Sequence, residues 1–365
     1  MIEKVEIHNF RGFRKIEVPD LKKINLLVGT NASGKSAFLE SLFLSSSSTA
    51  PNISFQLKAI RKMGNMIVAP SDPQGYKGLW EDMFHDFNTD KRIWIKIGGK
   101  PNADTRTLAV EFVTPVIDEL PFGKQSSPTA GTAPTPAMPQ IEFKWKRTGY
   151  PEVIARPKIT NTGVQVGMQV EAKEVIFFPA IWFTPTGSEN PEENAKRFAE
   201  LDKSGDIDKI KAVMSKEFPI IRDLTLSYQA GIPMVFAQID GQARTRKMPM
   251  GLVSDGMNRA LGIFLGIGYF KNGLVLIDQL EDGLHHKILP AMWESLYSLA
   301  TDFNVQLFIS SHSNECINAM MPVVEQHADD MCLLRAVRTE HSGCIIDSLS
   351  GEYLKTALEQ EIEVR

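Results

Sequence analysis

Ile24-Asn-Leu-Leu-Val-Gly-Thr-Asn-Ala-Ser-Gly-Lys-Ser36 decides how the rest of this chain is read. Ile24 to Val28 is an apolar run of the kind that forms a buried strand, and Ser36 to Leu44 has helical spacing. Between them Gly29 to Ser36 satisfies G-x-x-x-x-G-K-[ST] in full. Glycines let the backbone curl so that the N–H groups of residues such as Asn31, Ala32, Ser33 and Gly34 face an anion. The N-terminus of the following helix adds about half a positive charge. In such a loop Lys35 reaches the β- and γ-phosphates of a nucleoside triphosphate, and the Ser36 hydroxyl is a ligand for Mg²⁺.

A phosphate loop needs a carboxylate to organise its metal, and Leu274-Val-Leu-Ile-Asp278 supplies one at the end of an apolar strand. A third strand, Leu307-Phe-Ile-Ser-Ser-His312, ends in small hydroxyl residues and a histidine within expected reach of a γ-phosphate. Ser254-Asp255-Gly256 opens an apolar helix, with Ser254 as its expected N-cap, and makes a second anion-facing helix end. One nucleotide does not easily use both helix ends of a single subunit, so this turn is expected to meet the nucleotide of a second copy. From Leu252 helices and apolar strands alternate, including an expected helix from His285 to Leu299, which is an α/β signature.

Forty basic against forty-four acidic residues give a net charge of −4, which excludes a global field drawing the chain onto nucleic acid. No apolar run reaches the roughly 18 residues of a membrane helix, and Met1-Ile-Glu-Lys-Val-Glu has no signal-peptide pattern, so a cytoplasmic location without membrane contact is expected. The three cysteines, Cys316, Cys332 and Cys344, are not metal-spaced and read as buried thiols. Residues 121–140 are rich in Pro, Ser, Thr, Gly and Ala and read as a mobile loop able to dock a partner protein. Lys58/Arg61/Lys62, Lys144/Lys146/Arg147 around Trp145, and Arg244/Arg246/Lys247 are local basic clusters. Each is open to two readings, a solvated face or part of a nucleic-acid groove; Trp145 is either a stacking platform or core.

Together these pieces resemble the ATP-binding-cassette (ABC) ATPases of the SMC, RecF and OLD (overcoming lysogenization defect) group. Ile7-His-Asn-Phe-Arg-Gly-Phe13 looks like that group's opening strand and turn, and Asp278-Gln-Leu-Glu-Asp-Gly-Leu-His-His286 is similar to its Walker B and D-loop run. Ser310-Ser-His-Ser313 looks like its H-loop and Ser254-Asp-Gly256 like its shortened signature. The resemblance implies an α/β ABC-ATPase head: a mixed sheet with a P-loop core from residues 1–50 and 250–365, an antiparallel β lobe over 51–185, and a helical and signature subdomain over 186–249. It implies ATP and Mg²⁺ as cofactors and an ATP-sandwiched homodimer with the signature acting in trans. It further implies a nucleotide contact by Arg11, with Gln56 a weaker candidate for the Q-loop. No long heptads and no room for a Toprim nuclease are visible. The resemblance therefore points to an ATPase beside a separate effector, a nuclease or toxin, as in bacterial defence against phage.

The departure lies at Gln279, where that group carries Glu. An amide cannot take a proton from the attacking water, a loss of about 10²- to 10⁴-fold in rate, whereas binding through Lys35, Ser36 and Asp278 survives. An engineered ATP trap and a naturally slow ATPase both account for it, and Glu281 is a further carboxylate nearby. A non-catalytic ATP-bound scaffold that cages a partner, and a clamp that binds DNA directly, stand as rival functions.

Overall fold

Five mutually parallel strands form the frame of the computed structural model, which describes residues 1–46, 73–99, 104–113, 139–160, 163–170, 179–185, 190–239, 246–339 and 343–360. The chain enters through the antiparallel pair β1 (Lys4–Phe10) and β2 (Phe13–Val18), then β3 (Ile24–Val28), which the glycine loop joins to α1 (Lys35–Ser46). β4 (Ile93–Gly98), β5 (Arg106–Val113), β6 (Gln140–Arg147), β7 (Val153–Thr160) and β8 (Gly163–Val170) continue the sheet antiparallel from the far side of β1. β9 (Ala180–Phe183) returns to the core, where it pairs parallel with a later strand.

Helices α2 (Pro191–Ser204) and α3 (Ile207–Glu217) follow, and Asn190 caps the first through its side chain. β10 (Ile221–Gln229), β11 (Ile232–Ile239) and β12 (Arg246–Pro249) then form a separate three-stranded antiparallel sheet. After α4 (Asp255–Tyr269) come β13 (Leu274–Ile277), α5 (Leu289–Asp302), β14 (Gln306–Ser310), the antiparallel pair β15 (Met331–Thr339) and β16 (Gly343–Ser350), and α6 (Gly351–Glu359).

The order β8-β7-β6-β5-β4-β1-β2-β16-β15-β3-β14-β13-β9 makes one sheet, with β15 through β9 parallel. Parallel strands are covered on both faces, and β3 shows it: Ile24, Leu26 and Val28 enter the apolar layer under α4 and α5, while Leu27 enters the layer under α1. α1 is buried on most sides. Its Ser41, Ser45 and Ser46 hydroxyls donate to the carbonyls of Phe38, Ser41 and Leu42, which satisfies polar groups that burial would otherwise orphan.

Three expectations change, and one open reading is narrowed. Residues 186–249 carry the β10–β12 sheet as well as helices. Ala180–Phe183, expected in the β lobe, lies in the parallel core. The helix expected from His285 starts at Leu289, after a 3₁₀ turn over His286–Ile288, because Pro290 suits a first helical turn. The Lys144 cluster is not a bare cationic patch: Lys144 pairs with Glu111 and Glu142 at 2.8 Å each, and Arg147 with Asp104 at 2.6 Å. Trp145 is core, 5% exposed and stacked on Phe143. Gln56, Lys58, Arg61, Lys62, Arg244 and residues 121–138 lie outside the described residues.

Candidate nucleotide-binding site

β3, β14 and β13 run parallel in that order, so their carboxyl ends open on one edge of the sheet. In open α/β sheets that edge is where ligands bind. It brings the Gly29–Ser36 loop, the Ser310–Ser313 segment and Asp278 side by side, with the histidine strand between the other two.

The loop is held tightly. Gly29 has φ 140°, and a Cβ on it would stand 2.2 Å from the Ala336 carbonyl oxygen, so only glycine fits. Lys35 Nζ donates to the carbonyls of Gly29 (2.6 Å) and Thr30 (3.0 Å). Burial pushes the Lys35 pKa down, opposed by the carboxylates of Asp278 and Glu281. Those two groups therefore act on the ammonium across the strand ends. Ser33 is buried with its Oγ unbonded among the described residues, while Asn31 and Ala32 are exposed.

Asp278 is 4% exposed, and its Oδ1 accepts from Ser310 Oγ at 2.5 Å. The same Ser310 oxygen accepts the Gln279 N–H at 2.9 Å. Gln279 has φ 55°, and its carbonyl and that of Asp278 accept from Arg259 Nη2 at 3.0 and 3.1 Å. The Ser310 hydroxyl on β14 and the Arg259 guanidinium on α4 thus fix the backbone of Gln279. Glu281 reaches the neighbouring loop, where its Oε1 accepts the N–H groups of His312 (2.9 Å) and Ser313 (3.1 Å) and lies 3.2 Å from His312 Nδ1. Burial raises the pKa of Asp282 beside them, helped by Glu281 and Asp278 and opposed by Arg259 and His312.

Ser254 caps α4 by accepting the Met257 N–H, and Asp255 is exposed. Gly256 packs directly on the Gly283 carbonyl, where a Cβ would come within 2.2 Å. The signature turn is thereby fastened to the loop that follows Asp278.

Arg11, which the resemblance places at the nucleotide, is held in an ion-pair network with α1. Its guanidinium donates to Glu40 on α1 (2.7 Å) and to Asp82 (2.8 Å). Burial opposes its charge, but these two carboxylates outweigh it and raise its pKa. Arg11 is first a strut between β1 and α1. Motif reading assigned no part to Arg259, and it noted Ser310 in the H-loop-like run and Glu281 as a nearby carboxylate without their contacts to Asp278 and His312. Arg259 carries a visible signal, a lone cation in the first turns of an otherwise apolar helix.

Residues 1–112 match the family described as "AAA ATPase domain", and residues 196–318 match "AAA domain, putative AbiEii toxin, Type IV TA system". An ATP/GTP phosphatase of Helicobacter pylori is 24% identical over 346 residues, 89% of each chain. The two family matches and the phosphatase relative support an ATPase. Its head fold matches the crystal structure of an SMC head bound to the C-winged helix domain of ScpA, with TM-score 0.50, 12% identity, and 96% of this chain and 99% of that one covered. The SMC head domain from Thermotoga maritima overlays with TM-score 0.42, 11% identity, and 96% and 99% coverage. In this ABC-type head no described helix is long and apolar enough to cross a membrane. Its three cysteines are free and buried, and burial pushes Cys316 up to about 12.

Proposed function

We propose that this ATPase head binds ATP with Mg²⁺ in the Gly29–Ser36 loop and hydrolyses it slowly. Two copies close around two ATP molecules, each copy's Ser254–Gly256 meeting the other's nucleotide. This cycle controls a separate effector, a nuclease or toxin, in bacterial defence against phage. The observation that carries the reading is the convergence of the loop, Asp278, Gln279 and His312 on one sheet edge. The phosphatase relative supports hydrolysis, and the family description naming a toxin supports an effector. The ScpA-bound SMC head supports docking of a second protein on such a fold.

The residues fit Mg²⁺. Ser36 offers a hydroxyl and Asp278 a carboxylate whose Oδ2 accepts no hydrogen bond among the described residues. Mg²⁺ takes one or two protein oxygens of this kind and completes its octahedron with water and phosphate. When bound, it supplies charge neutralisation for the phosphates. Lys35 then binds and orients the phosphate chain, Ser310 holds Asp278, and Arg259 holds the backbone that carries Gln279. His312, fixed by Glu281, faces the γ-phosphate end.

Gln279 makes the second reading concrete. Its side chain has no carboxylate to take a proton, so a scaffold that holds ATP without turnover is the alternative. Phosphate release from ATP by this chain beside its Gln279→Glu variant decides between them. A rate at least about tenfold higher for the Glu form supports the ATPase. Equal, slow rates with intact ATP binding overturn hydrolysis and leave the scaffold.

A further inference from the structure

The core face of the β10–β11 hairpin outruns the helices that cover it. Leu224, Leu226 and Tyr228 alternate onto one face of β10, and toward the tip their exposure climbs from buried to 38% and then 70%. Tyr228 stands across from Pro233, close to the turn Ala230-Gly231, whose φ angles of 51° and 81° are the positive pair that fits hairpin twist. The tip is therefore a stiff projection with a bare aromatic ring on it.

Beside the projection lies a hollow. β12 pairs with β11 only from Phe236 to Ile239, so no described strand flanks β11 on that side over Ile232–Val235. A cavity of about 450 Å³ opens there, walled by Pro191, Ile232, Val235, Met250, Leu252 and Leu261. Leu252 is 67% exposed. Pro233 removes one N–H from the hairpin, which disfavours a full ladder along this edge and leaves the hollow to side chains.

Charges at the rim come in both signs. Glu192 follows the lining Pro191, and Lys247 precedes the lining Pro249 by two residues on the same side of β12. Both are exposed and form no ion pair among the described residues. A patch that carries an apolar knob, a hollow for such a knob, and unpaired charges of both signs is complementary to itself about a twofold axis.

We propose that two copies of this chain associate through this patch without nucleotide, each Tyr228 entering the other's hollow and each Lys247 facing the other's Glu192. An aromatic anchor in an apolar pocket is the kind of contact that dominates an interface. Leu226, Tyr228, Ile232 and Leu252 together offer less than the roughly 800 Å² per copy of a standard interface, so the association belongs to the weak, micromolar class. The contact uses neither the Gly29–Ser36 loop nor Asp278, and it is distinct from the ATP-closed pair. Two different twofold contacts on one chain link copies into assemblies larger than a dimer. That extension rests on the ATP-dependent closure proposed above; the nucleotide-free pair does not.

The test is sedimentation velocity of the nucleotide-free full chain over a concentration series reaching about 100 µM. The 40.7 kDa species should give way to one of twice that mass as concentration rises. Tyr228→Glu and Leu252→Glu should each weaken association by about tenfold or more, because each drives a charge into an apolar contact. Lys247→Glu should weaken it by about threefold or more, and adding Glu192→Lys should restore it, a rescue that a damaged fold does not give. All four positions are exposed, and an unchanged unfolding midpoint in the variants would show that the fold is intact. A parent chain that stays monomeric at about 100 µM, or a Tyr228→Glu variant that associates like the parent, would overturn the proposal. Association that appears only with ATP and survives Tyr228→Glu would overturn it as well, while leaving the ATP-closed pair standing. Nucleotide-free pairing by a chain that fails to hydrolyse ATP would support it all the same.

Discussion

Glu281 holds His312 by three contacts through one oxygen: the His312 N–H at 2.9 Å, the Ser313 N–H at 3.1 Å and His312 Nδ1 at 3.2 Å. A carboxylate on Nδ1 selects the Nδ1–H form of the ring and turns Nε2 outward. Glu281 therefore sets both the position and the tautomer of the histidine expected to read the γ-phosphate.

Glu281→Ala removes charge-assisted hydrogen bonds that are worth about 1.5–3 kcal/mol each, so the discrimination of ATP over ADP should fall by about tenfold or more. Glu281→Gln keeps an acceptor for the two N–H groups and should recover part of that loss. Calorimetric titration with both nucleotides reads the difference, and side-chain ¹⁵N shifts of His312 read the tautomer. An ATP/ADP ratio in Glu281→Ala equal to that of the parent would show that the pair has no part in γ-phosphate recognition.

The contact between Gly256 and Gly283 ties the signature turn to the loop after Asp278. A methyl group at 256 would meet the Gly283 carbonyl at 2.2 Å, and backbone cannot yield as a flexible side chain does. Gly256→Ala should destabilise the fold by about 1–3 kcal/mol. It should also abolish ATP-dependent self-association measured by light scattering. Full stability together with full association in this variant would contradict the packing.

Much of the site was legible because its signals are local. The β3–loop–α1 passage and the strand-end Asp278 and His312 announce themselves by short runs whose period and terminal residues agree. The β10–β12 sheet was not legible. A register shift between Ile221 and Asp223 breaks the period-two pattern of β10, and Pro233 interrupts that of β11. Arg259, and the pairing of Glu281 with His312, escaped for another reason: the partners lie 20 and 31 residues away, and such pairings leave no spacing in one sequence. Trp145 alternates like any strand residue, and only its burial distinguishes core from a stacking platform.

The β lobe should be sensitive to acid. Burial pushes the carboxyl pKa values of Asp104 and Glu142 upward, but hydrogen bonds from Arg147 and Arg106 to the first, and from Lys144 and Arg156 to the second, outweigh it and hold both below the usual range. Burial lowers Arg106 itself, which stays protonated throughout. A carboxylate with a depressed folded pKa binds fewer protons when folded. Its stabilisation is complete above the unfolded value and drains away as pH falls through the folded one. Stability should therefore decline as pH drops below about 4.5, and Asp104→Asn/Glu142→Gln should flatten that decline. Urea unfolding between pH 3 and 7 followed by circular dichroism checks it; parallel curves for parent and double variant would exclude these groups as the cause.

Arg11 and Glu40 offer the clearest separation of a strut from a ligand contact. Glu40 is 1% exposed and Arg11 13%, so removing one partner strands a buried charge, at a cost of about 3–5 kcal/mol. Arg11→Ala should lower stability by that order, and Arg11→Met/Glu40→Leu, which removes both charges and keeps the volume, should restore most of it. Chemical denaturation of the single and double variants measures the difference, with ATP-analogue binding followed in parallel. A stable Arg11→Ala protein that has lost ATP affinity would return Arg11 to the nucleotide, as the sequence resemblance implies. An unstable one, rescued by the neutral pair and still binding ATP, fixes it as the brace between the opening strand and the helix that follows the phosphate loop.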